Sequence, residues 1–459
     1  MGKIKYILAV FFILFSSCKI GQKYKQPEMN MPQSFDNEGM VAGNGNVADI
    51  GWSTLYSDTV LHGLISKALE HNKDMLVATA RIKEMAANKR ISFADMFPEI
   101  GGEVAGQKEY TNYGGDKKVY DPEVRANLNM SWELDIWGKL RWANEAGVAA
   151  YMQTVEAQKA LQLTIVAQVA QAYFELKSLD RELEIVRQTL EARREGVNFA
   201  KLRFEGGLTS EIPYRQSLVE LARTETMIPN LENEIKLKEN DLFVLVGEFP
   251  TGNITRGDDI THQQVPQSLP VDLPSSLLKR RPDMIQAEQK LIEANAQVGI
   301  AYTEMFPSLK LTGRLGGEND ELSNFLKSPT WYIAGALTGP IFNMGKNKAK
   351  HNAAKAAYEQ EVYTYEKSVL GAFKEVNNAI NTFNKMKEVY RSQEALYKSA
   401  KSYHELANFQ YVNGIVSYIE VLDAQRQLFD AEIALNTAIL NELVSVVILY
   451  KALGGGLVE

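Results

Sequence analysis

From Glu123 to Asp135 the chain alternates strictly between oily and wet positions. Val124, Ala126, Leu128, Met130, Trp132 and Leu134 take one side, and Arg125, Asn127, Asn129, Ser131 and Glu133 the other. A period of two predicts a strand with one apolar and one solvated face. The same alternation recurs downstream. Leu309, Leu311, Gly313 and Leu315 alternate with Lys310, Thr312 and Arg314, and Trp331, Ile333, Gly335, Leu337 and Ile341 with Tyr332, Ala334, Ala336 and Thr338. With a weaker stretch at 99–111, the pattern predicts strands at 99–111, 122–135, 308–317 and 329–342, two hairpins in all. Their length, and Tyr110, Tyr113, Tyr120, Trp132, Trp331 and Tyr332 toward their ends, match membrane barrel strands. A soluble hairpin packed on a core remains the alternative on the strands alone.

Elsewhere the period is helical. Leu61, Leu64, Ile65, Ala68 and Leu69 form one apolar face, a second helix runs from Asp74 to Met96, and its counterpart covers 282–305 with Pro282 in its first turn. Lys139 to Phe204 and Lys346 to Phe409 contain no proline and repeat small and apolar residues at helical spacing. At ~1.5 Å per residue each makes a helix of roughly 100 Å. Glycine breaks each one, at Gly206-Gly207 and at Gly414, and a shorter helix returns, giving helical hairpins over 139–246 and 346–453. A cytosolic coiled-coil spacer accounts for these helices but not for the alternating strands.

The two halves are copies. Asp74-Met75 aligns with Asp283-Met284, Glu84 with Glu293, Met96-Phe97-Pro98 with Met305-Phe306-Pro307 and Gly138-Lys139 with Gly345-Lys346. Phe204, Gly207, Ser210 and Ile212 approach or match Phe409, Gly414, Ser417 and Ile419. Duplication implies one unit built twice, here 57–247 and 276–455, joined by a polar, proline-bearing surface linker at 248–275. Four strands cannot close a barrel, since about eight are needed before an interior can be filled or opened. A membrane reading therefore requires several chains, and three chains, with twelve strands, leave room for a channel.

Composition narrows the class. A mean hydropathy of -0.23 excludes a multi-span helical membrane protein, and only the N-terminus reads as continuously apolar. Lys3 and Lys5 precede the run Ile7 to Phe15, which ends at Phe15-Ser16-Ser17-Cys18, the parts of an export signal over 1–17. Cys18 is the sole cysteine, so no disulfide forms within the chain and its position suits a lipid acceptor. The stretch 18–56 reads as an extended, lipidated arm. A net charge of -7 without a basic block argues against a nucleic-acid partner. His62, His71, His262, His351 and His404 lack metal-ligand spacing, and Gly339 to Lys346 departs from a phosphate loop. No metal site and no catalytic residues are expected, and no cofactor beyond a covalent lipid on Cys18. The chain reads as a passive conduit and not an enzyme.

The start CKIGQKYKQP from Cys18, the run SSLLKRRPDMIQAEQKLIEANAQVGIAYTEMFPSLKLTG from Ser275 to Gly313, and YVNGIVSYIEVLDAQ from Tyr411 resemble the outer membrane efflux lipoproteins, TolC-like outer membrane factors of the NodT type. The resemblance implies a mainly α chain with a membrane β-barrel, four strands and long helices per protomer. Three protomers would form a twelve-stranded barrel in the outer membrane, continued by a twelve-helix tunnel across the periplasm. It implies a homotrimer that meets outer membrane lipid, a periplasmic adaptor and an inner-membrane pump of the resistance-nodulation-division type, passing small toxic compounds or drugs. A duct for protein secretion or metal efflux is the alternative. Family topology puts Gly207, Leu208, Thr209, Gly414, Ile415 and Val416 at the tip that contacts the adaptor. It puts Glu420 and Asp423 at the periplasmic gate, with Glu420 in place of the more usual Asp. Ser417 and Glu420 also have capping-box spacing, so a pure helix cap stays open for Glu420. Arg280, Arg281 and Asp283 read as packing and ion pairing at a helix start, and Arg125, Glu133, Lys310 and Arg314 as a wet lumen of mixed sign.

Overall fold

The structure is a computed structural model that describes residues 19–35, 51–56, 58–112, 114, 118–263, 274–320, 324 and 327–455. The export signal, Cys18, the arm residues 36–50 and the linker residues 264–273 lie outside them. In chain order the elements are α1 (Trp52–Leu55), α2 (Thr59–His71), α3 (Lys73–Ala94), β1 (Glu99–Asn112), β2 (Lys118–Leu134), α4 (Lys139–Glu205) and α5 (Glu211–Leu245). Then follow α6 (Leu277–Arg280), α7 (Pro282–Thr303), β3 (Ser308–Asn319), β4 (Pro329–Thr338), α8 (Lys346–Val412) and α9 (Tyr418–Ala452). The chain divides into two units, one of residues 1–29, 80–155 and 286–367, the other of 30–79, 156–285 and 368–459.

The first unit holds one antiparallel sheet in the order β1-β2-β3-β4. Register carries the period of two across all four strands. Ile100 faces Met130, Met130 faces Gly313, and Gly313 faces Ile333, while Leu128 faces Leu315 and Leu315 faces Trp331. Directly opposed residues share a face, so the oily positions merge into one apolar surface. Much of that surface is exposed: Val104 is 83%, Trp331 74% and Ile333 75% exposed. On the wet face Arg125 pairs with Glu103 at 2.9 Å and Glu123 at 3.5 Å, and Lys139 with Glu133 at 3.4 Å.

Local geometry alters several expected element ends. β4 stops at Thr338 instead of 342, because Pro340 has no N–H to give a ladder. Ile341 therefore leaves the strand and is fully exposed. α7 ends at Thr303 instead of 305; Met305 and Phe306 instead form i to i+3 turns onto Tyr302 and Thr303. The arm is not wholly extended, since α1 lies within it and Leu55 and Tyr56 join the core. Nor does all of 248–275 run over the surface. Ile254 and Ile260 are buried, and the Arg256 guanidinium binds Asp180 and Glu239, the first at 2.8 Å.

The core of the second unit joins Leu61, Ile65 and Ala68 of α2 to Val169, Tyr173 and Leu176 of α4, Leu242 of α5, Val376 and Phe383 of α8, and Val446 and Leu449 of α9. The N-terminus is not the only strongly apolar stretch. α9 carries a window of mean hydropathy 1.8, half of it buried against this core.

Duplication is visible in backbone conformation. Glycines with positive φ recur in pairs 207 residues apart: Gly138 with Gly345, Gly207 with Gly414, and Gly247 with Gly454. A β-carbon is disfavoured in that region, so each copy needs glycine where a helix starts or stops.

Candidate functional site

Two helix reversals stand out in the second unit, and they share one hydrogen-bond pattern. After α4, Gly207 N–H donates to Phe204 O and Leu208 N–H to Arg203 O, both at 2.9 Å, with Gly207 at φ 72°. After α8, Gly414 N–H donates to Tyr411 O at 3.0 Å and Ile415 N–H to Gln410 O at 2.9 Å, with Gly414 at φ 74°. Each is a Schellman stop, in which the residue after the glycine closes the last turn. Leu208 and Ile415, at the same place in each motif, are exposed, and Val416 packs on a small cluster of Ala200, Tyr411, Tyr418, Val421 and Leu422. Tyr411 and Tyr418 meet at a tilt with 5.3 Å between ring centroids, Phe199 meets Tyr411 edge-on at 6.0 Å, and the Arg203 guanidinium lies 5.3 Å from the Tyr411 ring. Thr209 sits in the first reversal, half-buried.

One turn into α9 are Glu420 and Asp423. The capping-box reading of Glu420 does not hold: the Ser417 hydroxyl makes no cap bond, and the helix starts on a backbone bond from Glu420 N–H to Ser417 O. The Glu420 carboxylate instead accepts from the Tyr403 hydroxyl of α8 at 3.5 Å. Burial pushes that hydroxyl's pKa up, and the Glu420 and Asp423 carboxylates add to the shift. Asp423 is compensated within its own helix, by Arg426 at 3.1 Å and the Gln427 amide at 2.7 Å. Arg426 was legible as an i, i+3 partner. Tyr403 was not, because it comes from a different helix.

Arg281 takes a structural part. Buried at the start of α7, it donates to Asp283 and Glu375, each at 2.7 Å, and to Ala452 O at 2.8 Å. It lines an open cavity of about 550 Å³ with Gln168, Asn378 and Lys451. A second buried network has no counterpart among the residues singled out in the sequence. Asp58 caps α2 through Val60 and Leu61 N–H, and accepts from the Tyr173 hydroxyl at 2.8 Å, Lys177 at 3.2 Å and Gln263 at 3.1 Å. Burial works against its charge, yet the hydroxyl, the Leu61 amide and the ammonium together hold the carboxyl below its ordinary range.

The outer membrane efflux protein family matches residues 64–248 and 273–455. The chain is 31% identical over 449 residues to the cation efflux system protein CusC of Escherichia coli O157:H7, with 97% of each covered. It is 30% identical over 467 residues to the probable outer membrane lipoprotein SilC of Salmonella typhimurium, with 100% of each covered. The open-state MtrE outer membrane channel of Neisseria gonorrhoeae superposes with a TM-score of 0.90 at 28% identity, over 96% of this chain and 99% of that one. With its duplicated long helices and its apolar-faced sheet, the chain belongs to the outer membrane efflux protein family and is the outer membrane channel component of an efflux system.

Proposed function

We propose that the chain works as a homotrimer, a passive duct that receives small toxic compounds from a resistance-nodulation-division pump through a periplasmic adaptor. The carrying observation is the four-stranded sheet, apolar and exposed on one face, whose outer strands β1 and β4 each pair on one side only among the described residues. A bilayer offers no hydrogen bonds to strand edges, so β4 of one copy must meet β1 of another. Three copies supply twelve strands. Native mass spectrometry of the detergent-extracted protein should give a trimer, and a stable folded monomer or dimer overturns the reading.

Cys18 is the lipid acceptor and first mature residue in this proposal, a reading supported by the likeness to a probable outer membrane lipoprotein. Its acyl chains add affinity for outer membrane lipid at about 0.8 kcal/mol per buried CH₂. Intact mass should show an acylated N-terminal Cys18; an unmodified thiol refutes this. Because the barrel itself spans the membrane, Cys18→Ala should impair sorting more than folding.

The reversals at Gly207, Leu208 and Thr209 and at Gly414, Ile415 and Val416 form the adaptor-contact tip, with Glu420 and Asp423 at the gate. Threefold repetition would set two rings of three carboxylates about 4.5 Å apart along the helix. Arg426 already offsets Asp423. Glu420→Gln should therefore lower cation preference in planar bilayers more than Asp423→Asn does, with the trimer retained. Unchanged ion selectivity in the double variant defeats the gate assignment. A second reading, a duct for metal cations, draws on the likeness to a cation efflux protein. Growth of a deletion strain on transition-metal salts against organic drugs separates the two cargoes.

A further inference from the structure

Duplication makes the sheet its own template. The two hairpins are one object under fixed offsets, 209 residues from β1 to β3 and 207 from β2 to β4. Glu99 faces Ser131 in the first hairpin, and their counterparts Ser308 and Thr338 face each other in the second. Between the hairpins lies the seam of β2 with β3, in which Met130 faces Gly313, Asn129 faces Arg314 and Val124 faces Asn319. Beside that seam, helix packs on helix. Trp142 and Ala146 of α4 bury against Ala296 and Ile300 of α7. The Trp137 indole N–H donates to Pro307 O at 2.8 Å, and its ring lies 5.0 Å from that of Phe306.

The same offsets carry the partners in this joint to positions that the chain leaves largely exposed. Ala146 is 6% exposed and Ala296 fully buried, whereas their counterparts, Ala353 of α8 and Ala87 of α3, are exposed. Ile91 stands for Ile300, Phe97 for Phe306 and Met344 for Trp137, at 59%, 55% and 86% exposure. Likewise β4, the counterpart of β2, and β1, the counterpart of β3, are the two edges of the sheet. The second joint has both its halves on this chain, but at opposite edges, so only another copy can bring them together.

We propose that β4 of one copy pairs antiparallel with β1 of the next in the register of the inner seam. Leu337 then faces Val104 of the next copy, Ala336 faces Ala105, and Trp331 faces Tyr110, with Ala353 of α8 set against Ala87 of α3. The proposal deepens the trimer reading and rests on it. A slip of one residue would turn the apolar positions of one strand onto the wet face of the other. In the inner register Leu337 and Trp331 share a face with Val104 and Tyr110, while Thr338 meets Glu103 and Tyr332 meets Glu109 on the wet side. β4 carries no charged residue, so no like charges are opposed. The joint differs from its template in one respect: Met344 and Ala349 stand where Trp137 and Trp142 stand, so it lacks both indoles and leans more on the strand ladder.

Cysteine pairs test the register in the full-length protein, oxidised in detergent and run on denaturing, non-reducing gels. Leu337→Cys with Val104→Cys and Ala336→Cys with Ala105→Cys are adjacent rungs. Rungs of an antiparallel ladder alternate between wide and close, so one of the two comes within disulfide reach. Within one chain β1 and β4 are three strand spacings apart, ~14 Å, so any bridge joins two copies. The better rung should give a covalent trimer. It should form at least about tenfold faster than in Leu337→Cys with Gly102→Cys or Leu337→Cys with Gly106→Cys, whose diagonal positions stay about 7–8 Å apart. The single variants set the baseline for any bridge through Cys18. Should the strand variants fail to assemble, Ala353→Cys with Ala87→Cys, bridged by a short bismaleimide, tests the helix half and should also give a linked trimer. Faster bridging in a slipped pair, or an intact oligomer that bridges at neither rung nor between the helices, overturns the register. A wild-type protein that is monomeric by native mass spectrometry defeats the trimer reading itself, and the joint with it.

Discussion

Gly316→Val is expected to abolish assembly. Gly316 lies on β3 opposite Asn127 of β2, and a β-carbon there would run into the Ala126 carbonyl and the Asn127 side chain. The β2–β3 ladder, from Val124 with Asn319 to Leu134 with Leu309, is the seam between the two hairpins. Forcing it open would leave two separate two-stranded ribbons, which are marginal in water and worse in a bilayer, where each unpaired backbone group costs several kcal/mol. Gly106→Ala is the matched control, because a β-carbon on Gly106 meets nothing within 4 Å. Gel mobility of the unheated sample and native mass spectrometry should show the oligomer lost in Gly316→Val and kept in Gly106→Ala. A Gly316→Val protein that assembles like the wild type would mean the seam tolerates a side chain and this sheet account fails.

Asp58→Ala should be the most destabilising single change in the helical unit. The Asp58 and Lys177 side chains are 2% and 4% exposed. Removing the carboxylate strands a buried ammonium, a loss of about 3–5 kcal/mol, and also removes the α2 cap, typically about 1 kcal/mol. The two terms overlap because one side chain serves both, so the expected loss stays near the larger. Asp58→Asn keeps an acceptor for the cap and isolates the charge. The folded-state pKa of Asp58 lies below its unfolded value, so its stabilisation is fully present above the ordinary carboxylate pKa and is lost as pH falls through the lowered one. The stability gap between wild type and Asp58→Asn should hold steady from neutral pH down to about 5 and close below about 4. Thermal unfolding followed by circular dichroism across that range is the measurement. A gap that persists unchanged at low pH would mean that the charge on Asp58 does not stabilise the fold.

What could be read from residues in order was whatever depends on neighbours in the chain. The alternation of β2 exposes its two faces because side chains flip at every residue, and Gly207 and Gly414 mark helix ends because only glycine takes positive φ cheaply. β1 was harder to see, being glycine-rich at Gly101, Gly102 and Gly106 and weakly alternating. The Asp423 to Arg426 pair was within reach, three residues apart on one helix. Glu420 misled, because Ser417 and Glu420 have the spacing of a capping box while the hydroxyl makes no such bond.

Long-range partners were another matter. Nothing in the order of residues says that β2 pairs with β3 across a separation of nearly two hundred residues, or that Asp58 meets Lys177. The same holds for the Trp142 indole closing on Ile20, and for Ile254 and Ile260 of the apparent linker entering a core. Each of these contacts carries a loop-closure cost that a local pattern does not encode, and each forms only when several separated elements arrive together. The periods, the glycines and the duplication are properties of the chain as written, since φ preference and side-chain direction are local. Which strand lies beside which and which charge is buried against which follow from packing, because only there do backbone groups and charges removed from water find their partners.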